Sequence, residues 1–209
     1  MEDLPQAGAG GGKERKLIMI SEIKRKLFHL LGLLYVAGIY FLPRPIFIGI
    51  MVFVLLAQIL FELVRLKTPA FNTWLHTNFG DLFREEEAGQ FSGMAWMAGG
   101  VLATGLLLKP PLLGATVILF LIFGDGVASL VGKKVGGPRW PRSKKTFAGS
   151  SACFLACVAV GLLMLFPEYA WRGIVVSALA VTVFEVGYIP LNDNFLVPLV
   201  ASLVMRIFY

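Results

Sequence analysis

Residues 112–131 read LLGATVILFLIFGDGVASLV: twenty residues with a single charge, Asp125. At 1.5 Å of rise per residue, a helix of that length is about 30 Å long, the thickness of a bilayer's hydrocarbon core. The stretch therefore reads as a membrane-spanning helix, with Gly124-Asp125-Gly126 expected to interrupt it. Working outward, Lys109-Pro110-Pro111 makes a tight turn back to a second apolar window, Phe91 to Leu108, and the basic loop Gly132 to Thr146 leads on to a third, Phe147 to Phe166. Further windows run from Leu27 to Leu42, Ile46 to Val64, Trp171 to Ile189 and Phe195 to Tyr209. Pro43-Arg44-Pro45 breaks the chain sharply between the first two. A polar stretch, Arg65 to Gln90, holds Lys67, His76, Asp81, Arg84 and the run Glu85-Glu86-Glu87. The expectation is an all-α polytopic transmembrane helix bundle of about seven spans. Glu14 to Lys26, where basic residues mix with Leu17, Ile18, Met19, Ile20 and Ile23, suits a helix lying at the interface.

Composition agrees. The chain is 57% hydrophobic and 15% charged, where a soluble domain would be nearer half and a quarter. The glycine-rich residues 1–13 lack the basic-then-apolar order of a signal peptide and read as a disordered, uncleaved tail. Residues 14–209 read as one transmembrane helical domain. The net charge of +6 needs no nucleic-acid partner, because the positive-inside rule accounts for it. With seven spans, the N-terminal segment and the loops after spans two, four and six carry six, three, six and none of the Lys and Arg residues. The other side holds only Arg44, Lys109, Arg172 and Arg206, so the split is 15 to 4. This bias places the N-terminus in the cytoplasm and the C-terminus outside. Cys153 and Cys157, one turn apart in an apolar run, read as small core hydrophobes. No internal repeat of the kind that builds inverted-repeat transporters is evident.

The chemistry is concentrated. An acid in mid-membrane costs about 2.5–3.5 kcal/mol to insert, so Asp125 and Glu185 point to a site. Gly124, Ala128, Gly132 and Gly136 recur every four residues, as a helix-packing stripe or the wall of a ligand pocket. Lys144, Lys145 and Thr146 stand at the start of the fifth span with Gly149 and Ser150 one turn in, an arrangement suited to phosphate. Topology-setting charge and headgroup contact would produce the same basic loop. It is not a Walker A loop, since Val127 stands where Gly132-Lys133 would need the first glycine. Arg25, His29 and Gly32 share a face of the first span. Glu62 and Arg65, like Arg84 and Glu87, read as ordinary i,i+3 surface pairs. Asp193 either caps the last span or serves the site. In the seven-span topology Arg25, Arg84, Glu87, Lys144, Lys145 and Asp193 all lie on the cytoplasmic side, with Asp125 and Glu185 within about two turns of it. Acids for a divalent cation and bases for phosphate thus meet on one face.

Five blocks carry a resemblance: Arg25-Lys26-x-x-His29, Phe83-Arg84-x-x-Glu87, Gly124-Asp125-x-x-Ala128-x-x-x-Gly132-x-x-x-Gly136, Lys145-Thr146-x-x-Gly149-Ser150 and Asp193-Asn194-x-x-x-Pro198. Together they resemble the dolichol kinase, phytol kinase and CTP-dependent diacylglycerol kinase group. The stretch from Pro141 to Thr146 is also similar to the nucleotide loop of phosphatidate cytidylyltransferases. Many relatives carry Glu where this chain has Ala148, although phytol-kinase-like members often carry Ala.

The resemblance implies a CTP-dependent lipid-alcohol kinase acting on a polyprenol, a phytol-like alcohol or diacylglycerol, with Mg²⁺ as cofactor. The nucleotide would be held by Arg142, Lys144, Lys145, Thr146, Gly149, Ser150, Gly132 and Gly136. Asp125 and Asp193 would hold the metal, and Arg25, Lys26, His29, Arg84 and Asn194 would line the polar mouth. Asp125, Lys145, Glu87 and Glu185 are the catalytic candidates, with the general base open among Asp125, Glu87 and Glu185. The implied partners are a membrane lipid and a nucleoside triphosphate, an oligomer being allowed. The site would face the cytoplasm from a bacterial or archaeal inner membrane, or from an endoplasmic-reticulum or plastid membrane. Two alternatives stand beside this one: cytidylyl transfer to phosphatidate, and an ion-coupled transporter using Asp125 and Glu185.

Overall fold

Prolines and polar caps punctuate the chain into helices. The computed structural model describes Lys24, residues 30–80, Phe83 and residues 85–209; the tail, the interfacial segment apart from Lys24, and Asp81 lie outside the described residues. A 3₁₀ turn, Leu30–Gly32, opens α1 (Leu33–Phe41). There follow α2 (Arg44–Lys67), α3 (Pro69–Phe79), a 3₁₀ turn at Glu85–Ala88, and α4 (Gly93–Leu107). Then come α5 (Pro111–Leu119), α6 (Asp125–Val135), α7 (Phe147–Leu165), α8 (Trp171–Glu185) and α9 (Asp193–Phe208). Pro45, Pro69 and Pro111 sit in the first turns of α2, α3 and α5, where a fixed φ fits a helix and the missing N–H costs nothing. No strand occurs among the described residues beyond one isolated bridge, Arg139 to Thr146.

Each of the seven apolar windows holds a helix. Three are long and apolar enough to cross a membrane: Arg44–Lys67, Pro111–Val135 and Phe147–Leu165. The others are shorter, α4 and α8 having 15 residues each, about 22 Å of rise. One expectation needs correcting. Gly124-Asp125-Gly126 does not interrupt the fourth window: the chain widens into one π turn at Phe120–Gly124 and runs straight on into α6. A π turn inserts a residue without ending the helix, and such turns are frequent at functional sites. Within the polar stretch after α2 lies α3, separated from α2 by the single residue Thr68, with Pro69 starting the new helix.

The rod Pro111–Val135 lies at the centre, with Ile118, Phe120 and Leu121 fully buried. Around it α4 packs on α2 and α9, α9 on α8, α8 on α7, α7 on α6, and α1 on α5. Much of the outer surface is apolar; Phe53, Leu56 and Leu60 of α2 are all more than 60% exposed. That suits hydrocarbon as solvent, where small residues and interhelical hydrogen bonds drive helix association. Both occur here. A Cβ on Gly149 would stand 2.8 Å from the Ala128 carbonyl and 3.4 Å from the Gly132 Cα. Gly124 likewise meets the Cys153 and Cys157 sulfurs, and both thiols are buried and free, as core residues. For Gly124, Ala128 and Gly132 the small-residue stripe is thus the α6–α7 contact. Across α4 and α9, the buried Ser202 hydroxyl donates to Thr104 Oγ1 at 3.1 Å.

Candidate active site

The site is assembled by the loop between α6 and α7. Gly136 and Gly137 have φ of +68° and +93°, a left-handed conformation that glycine enters without cost and that reverses the chain at the end of α6. The loop then closes on itself. Trp140 N–H donates to the Lys145 carbonyl at 3.0 Å and Phe147 N–H to the Pro138 carbonyl at 3.1 Å, with Arg142 at the exposed tip in a left-handed turn. Two tethers aim the loop. Trp140 stacks on Phe147 at 4.0 Å between ring centres and donates through Nε1 to Ser150 Oγ at 3.0 Å. Ser143 Oγ accepts from Lys145 N–H at 3.0 Å and donates to the Val186 carbonyl at 2.6 Å, just past the end of α8.

This geometry carries Lys145 across to α8 and α9. Its Nζ donates to Glu185 Oε1 and, at 3.3 Å, to Asp193 Oδ2. Glu185 is almost fully buried, its side chain 2% exposed against 30% for Lys145. Asp125, 6% exposed, is close enough to act on the ammonium electrostatically. Burial works against the charge on Lys145. The carboxylates of Glu185, Asp125 and Asp193 outweigh it and hold the amine above the ordinary lysine value of 10.5. Lys145 is therefore a permanent cation at neutral pH. Glu185 Oε2 is buried with no hydrogen-bond partner among the described residues, where buried polar atoms are ordinarily paired.

At the start of α9 the cap is not Asp193. Asn192 is the N-cap, its side chain accepting from Asn194 N–H at 3.0 Å. Asp193, relieved of capping, turns to Lys145. At α7 the cap is Thr146, whose Oγ1 accepts from Gly149 N–H at 3.1 Å. Thr146, Gly149, Ser150 and Gly132 thus have structural duties in the α6–α7 contact and at the loop's anchor, while Lys144 and Arg142 are exposed on the loop itself. Arg25, Lys26, His29 and Arg84 lie outside the described residues.

Glu87 and Asn194 meet at one residue. Glu87 Oε1 accepts from Gly93 N–H at 3.0 Å, and Asn194 Nδ2 donates to the Gly93 carbonyl at 2.9 Å. Sequence reasoning missed what stands behind them. Glu62 and Arg65 are not a surface pair, for both are fully buried. The guanidinium donates to Glu62 Oε2 through Nε and NH2 (3.0 and 2.5 Å), to Asn72 Oδ1 at 2.8 Å, to the Glu87 carbonyl at 3.0 Å and to the Gln90 carbonyl at 2.7 Å. Asn72 also donates to the Ala88 carbonyl at 2.8 Å. The one signal in the sequence was a glutamate at the edge of an apolar span.

Among the described residues, no three His, Cys, Asp or Glu side chains stand together as a ready metal cage. The donor set nevertheless fits Mg²⁺. The acids converging on Lys145 are hard oxygen ligands that outnumber its charge, one of them carries an unfilled buried oxygen, and Mg²⁺ is usually held by one or two carboxylates together with substrate phosphates.

No family model matches the chain, and no solved structure does. Among curated proteins, an uncharacterized protein of Rickettsia prowazekii is 29% identical over 90% of this chain and 94% of its own length. Human dolichol kinase is 29% identical over 94% of this chain and 40% of its own length. CTP-dependent diacylglycerol kinase 1 of Eremothecium gossypii is 34% identical over 66% of this chain and 44% of its own. The chain spans less than half the length of these two named kinases. The relatives support a likeness to the polyprenol kinase-like group.

Proposed function

We propose that this chain is a membrane lipid kinase that moves the terminal phosphoryl group of a nucleoside triphosphate, CTP by the names of its relatives, onto a lipid alcohol. The observation that carries the reading is Lys145 held between Glu185 and Asp193, beside buried Asp125, at the mouth of a membrane helix bundle. Phosphoryl transfer demands positioning and charge neutralisation more than covalent chemistry by the protein. Lys145 supplies a fixed cation for the triphosphate, and Lys144 and Arg142 on the same loop draw the anion in. Asp125 and Asp193 would hold Mg²⁺, which when bound neutralises phosphate charge. The lipid hydroxyl forms the new O–P bond as the bond to the leaving nucleoside diphosphate breaks. Its proton passes to a carboxylate among Asp125, Glu87 and Glu185. The bundle has seven spans with the site facing the cytoplasm, and the lipid enters sideways, its tail staying in the bilayer.

The test is transfer of label from γ-labelled CTP to a panel of polyprenols, phytol and diacylglycerol in detergent with Mg²⁺. Label entering the organic phase with wild type, and absent with Asp125→Asn and Lys145→Ala, supports the kinase and names its lipid. Folded wild type that moves no label from CTP or ATP refutes it. Pyrophosphate release with phosphatidate would identify a cytidylyltransferase instead.

A further inference from the structure

A buried ion pair is an expensive way to hold a helix bundle together. Desolvating two charges rivals their attraction, and well-packed apolar residues often do as well. Glu62 and Arg65 are fully buried, and Glu62 Oε1 has no partner among the described residues, so the pair is not even optimally satisfied. Its return must lie in geometry. Arg65 is a planar fork that fixes several acceptors at once, and two of its acceptors are the backbone carbonyls of Glu87 and Gln90.

From there an unbroken series of contacts runs to the candidate active site. Glu87 Oε1 takes the Gly93 N–H at 3.0 Å, the Gly93 carbonyl takes Asn194 Nδ2 at 2.9 Å, and the neighbouring Asp193 takes Lys145 Nζ at 3.3 Å. Gly93 leaves no slack in this series, since a Cβ there would lie 2.6 Å from Asn194 Nδ2 and 3.3 Å from Glu87 Oε1. Asn72 on α3 adds a second clamp, accepting from Arg65 and donating to Ala88.

We infer that Arg65, charge-balanced by Glu62, is a positioning residue for phosphoryl transfer: it locks the Glu87–Gly93 segment and, through Asn194, the start of α9 that presents Asp193 to Lys145. This rests on the kinase reading for its activity arm and on geometry alone for its second arm.

The experiment compares wild type with Arg65→Lys and with the apolar pair Glu62→Leu/Arg65→Met, which removes both buried charges together so that neither is stranded. On folded protein, kcat falls about tenfold or more in Arg65→Lys and further in the apolar pair, while KM for CTP stays within about threefold, because small misplacements act on the reacting geometry. Hydrogen exchange is read on the same samples. Gly93 and Asn194 amides exchange about tenfold faster or more, by the loss of their local support, while Cys153–Cys157 of α7 keep their protection. An apolar pair that is folded and keeps wild-type kcat overturns the inference, as does unchanged exchange at Gly93 or a uniform loss of protection across all helices. Wild type that moves no label refutes the kinase reading itself, and the exchange data then judge the Arg65 link alone.

Discussion

Replacing Lys145 with methionine keeps the length of the side chain and removes a cation from a cluster of acids. Two effects can be separated by size. The first is on stability. Removing one member of a fully buried ion pair costs about 3–5 kcal/mol, because the other charge is stranded. Glu185 is buried to that degree, but Lys145 is 30% exposed, so solvent already screens one end of the pair. A cost of about 1–3 kcal/mol, between the buried and surface regimes, is therefore expected. For a chain of this size that is a fall of roughly 2–12 °C in Tm. The second is on catalysis. Loss of one fixed donor to developing charge lowers kcat by about 10²–10³. The double variant Lys145→Met/Glu185→Leu separates them. It removes the most buried of the stranded acids, so Tm recovers part of the loss, yet transfer of label from CTP stays low. The assay pairs thermal unfolding in detergent with initial rates. A double variant that recovers both Tm and rate would refute the reasoning, since Lys145 would then be only a counter-ion. So would a single variant of undiminished rate.

Three further outcomes follow from the same geometry. Because the folded state holds the Lys145 amine above its ordinary value of 10.5, its stabilisation is fully present below that pH and lost as pH rises through the higher folded value. The Tm difference between wild type and Lys145→Met should stay constant from pH 7 to about 9.5 and shrink only above about 10.5; a difference that vanishes by pH 8 contradicts the assignment. Gly149→Val drives a side chain toward the Ala128 carbonyl, 2.8 Å from where its Cβ would sit, and forces α6 and α7 apart. Overpacking of this kind costs about 1–3 kcal/mol and should appear as a lower Tm, whereas Gly126→Ala, whose added Cβ meets nothing within 4 Å, should leave Tm within a degree or two. Chelation of divalent cations should abolish transfer, with Mg²⁺ restoring it; full activity in excess chelator would remove the metal role from Asp125 and Asp193.

How much of this was legible depends on whether a residue's meaning is local. The helices were, because charge and proline end each apolar window where it stands: Pro43-Arg44-Pro45, Lys109-Pro110-Pro111 and the basic loop after Val131 are breaks whatever packs against them. Asp125 and Glu185 were legible for the same reason, an acid inside an apolar run being costly wherever the run lies. Residues whose role depends on which of several possible partners the fold supplies were not. Thr146 looks like a phosphate donor and serves as the cap of α7. Asp193 was undecided in sequence because the choice turned on whether its neighbour Asn192 would take the cap, as it does. Glu62 and Arg65 are the sharpest case. An i,i+3 pair at the end of a helix is ordinarily solvated, and only when the segment from Glu87 to Gln90 folds back over it do its charges become buried and its fork acquire carbonyls to hold. That return depends on Asn72 and Gly93 meeting partners 16 and 101 residues away. Asp125 and Glu185 could be singled out from their own neighbours in sequence; what holds Glu87 and the start of α9 is written in contacts between segments, and Arg65 is where such contacts converge.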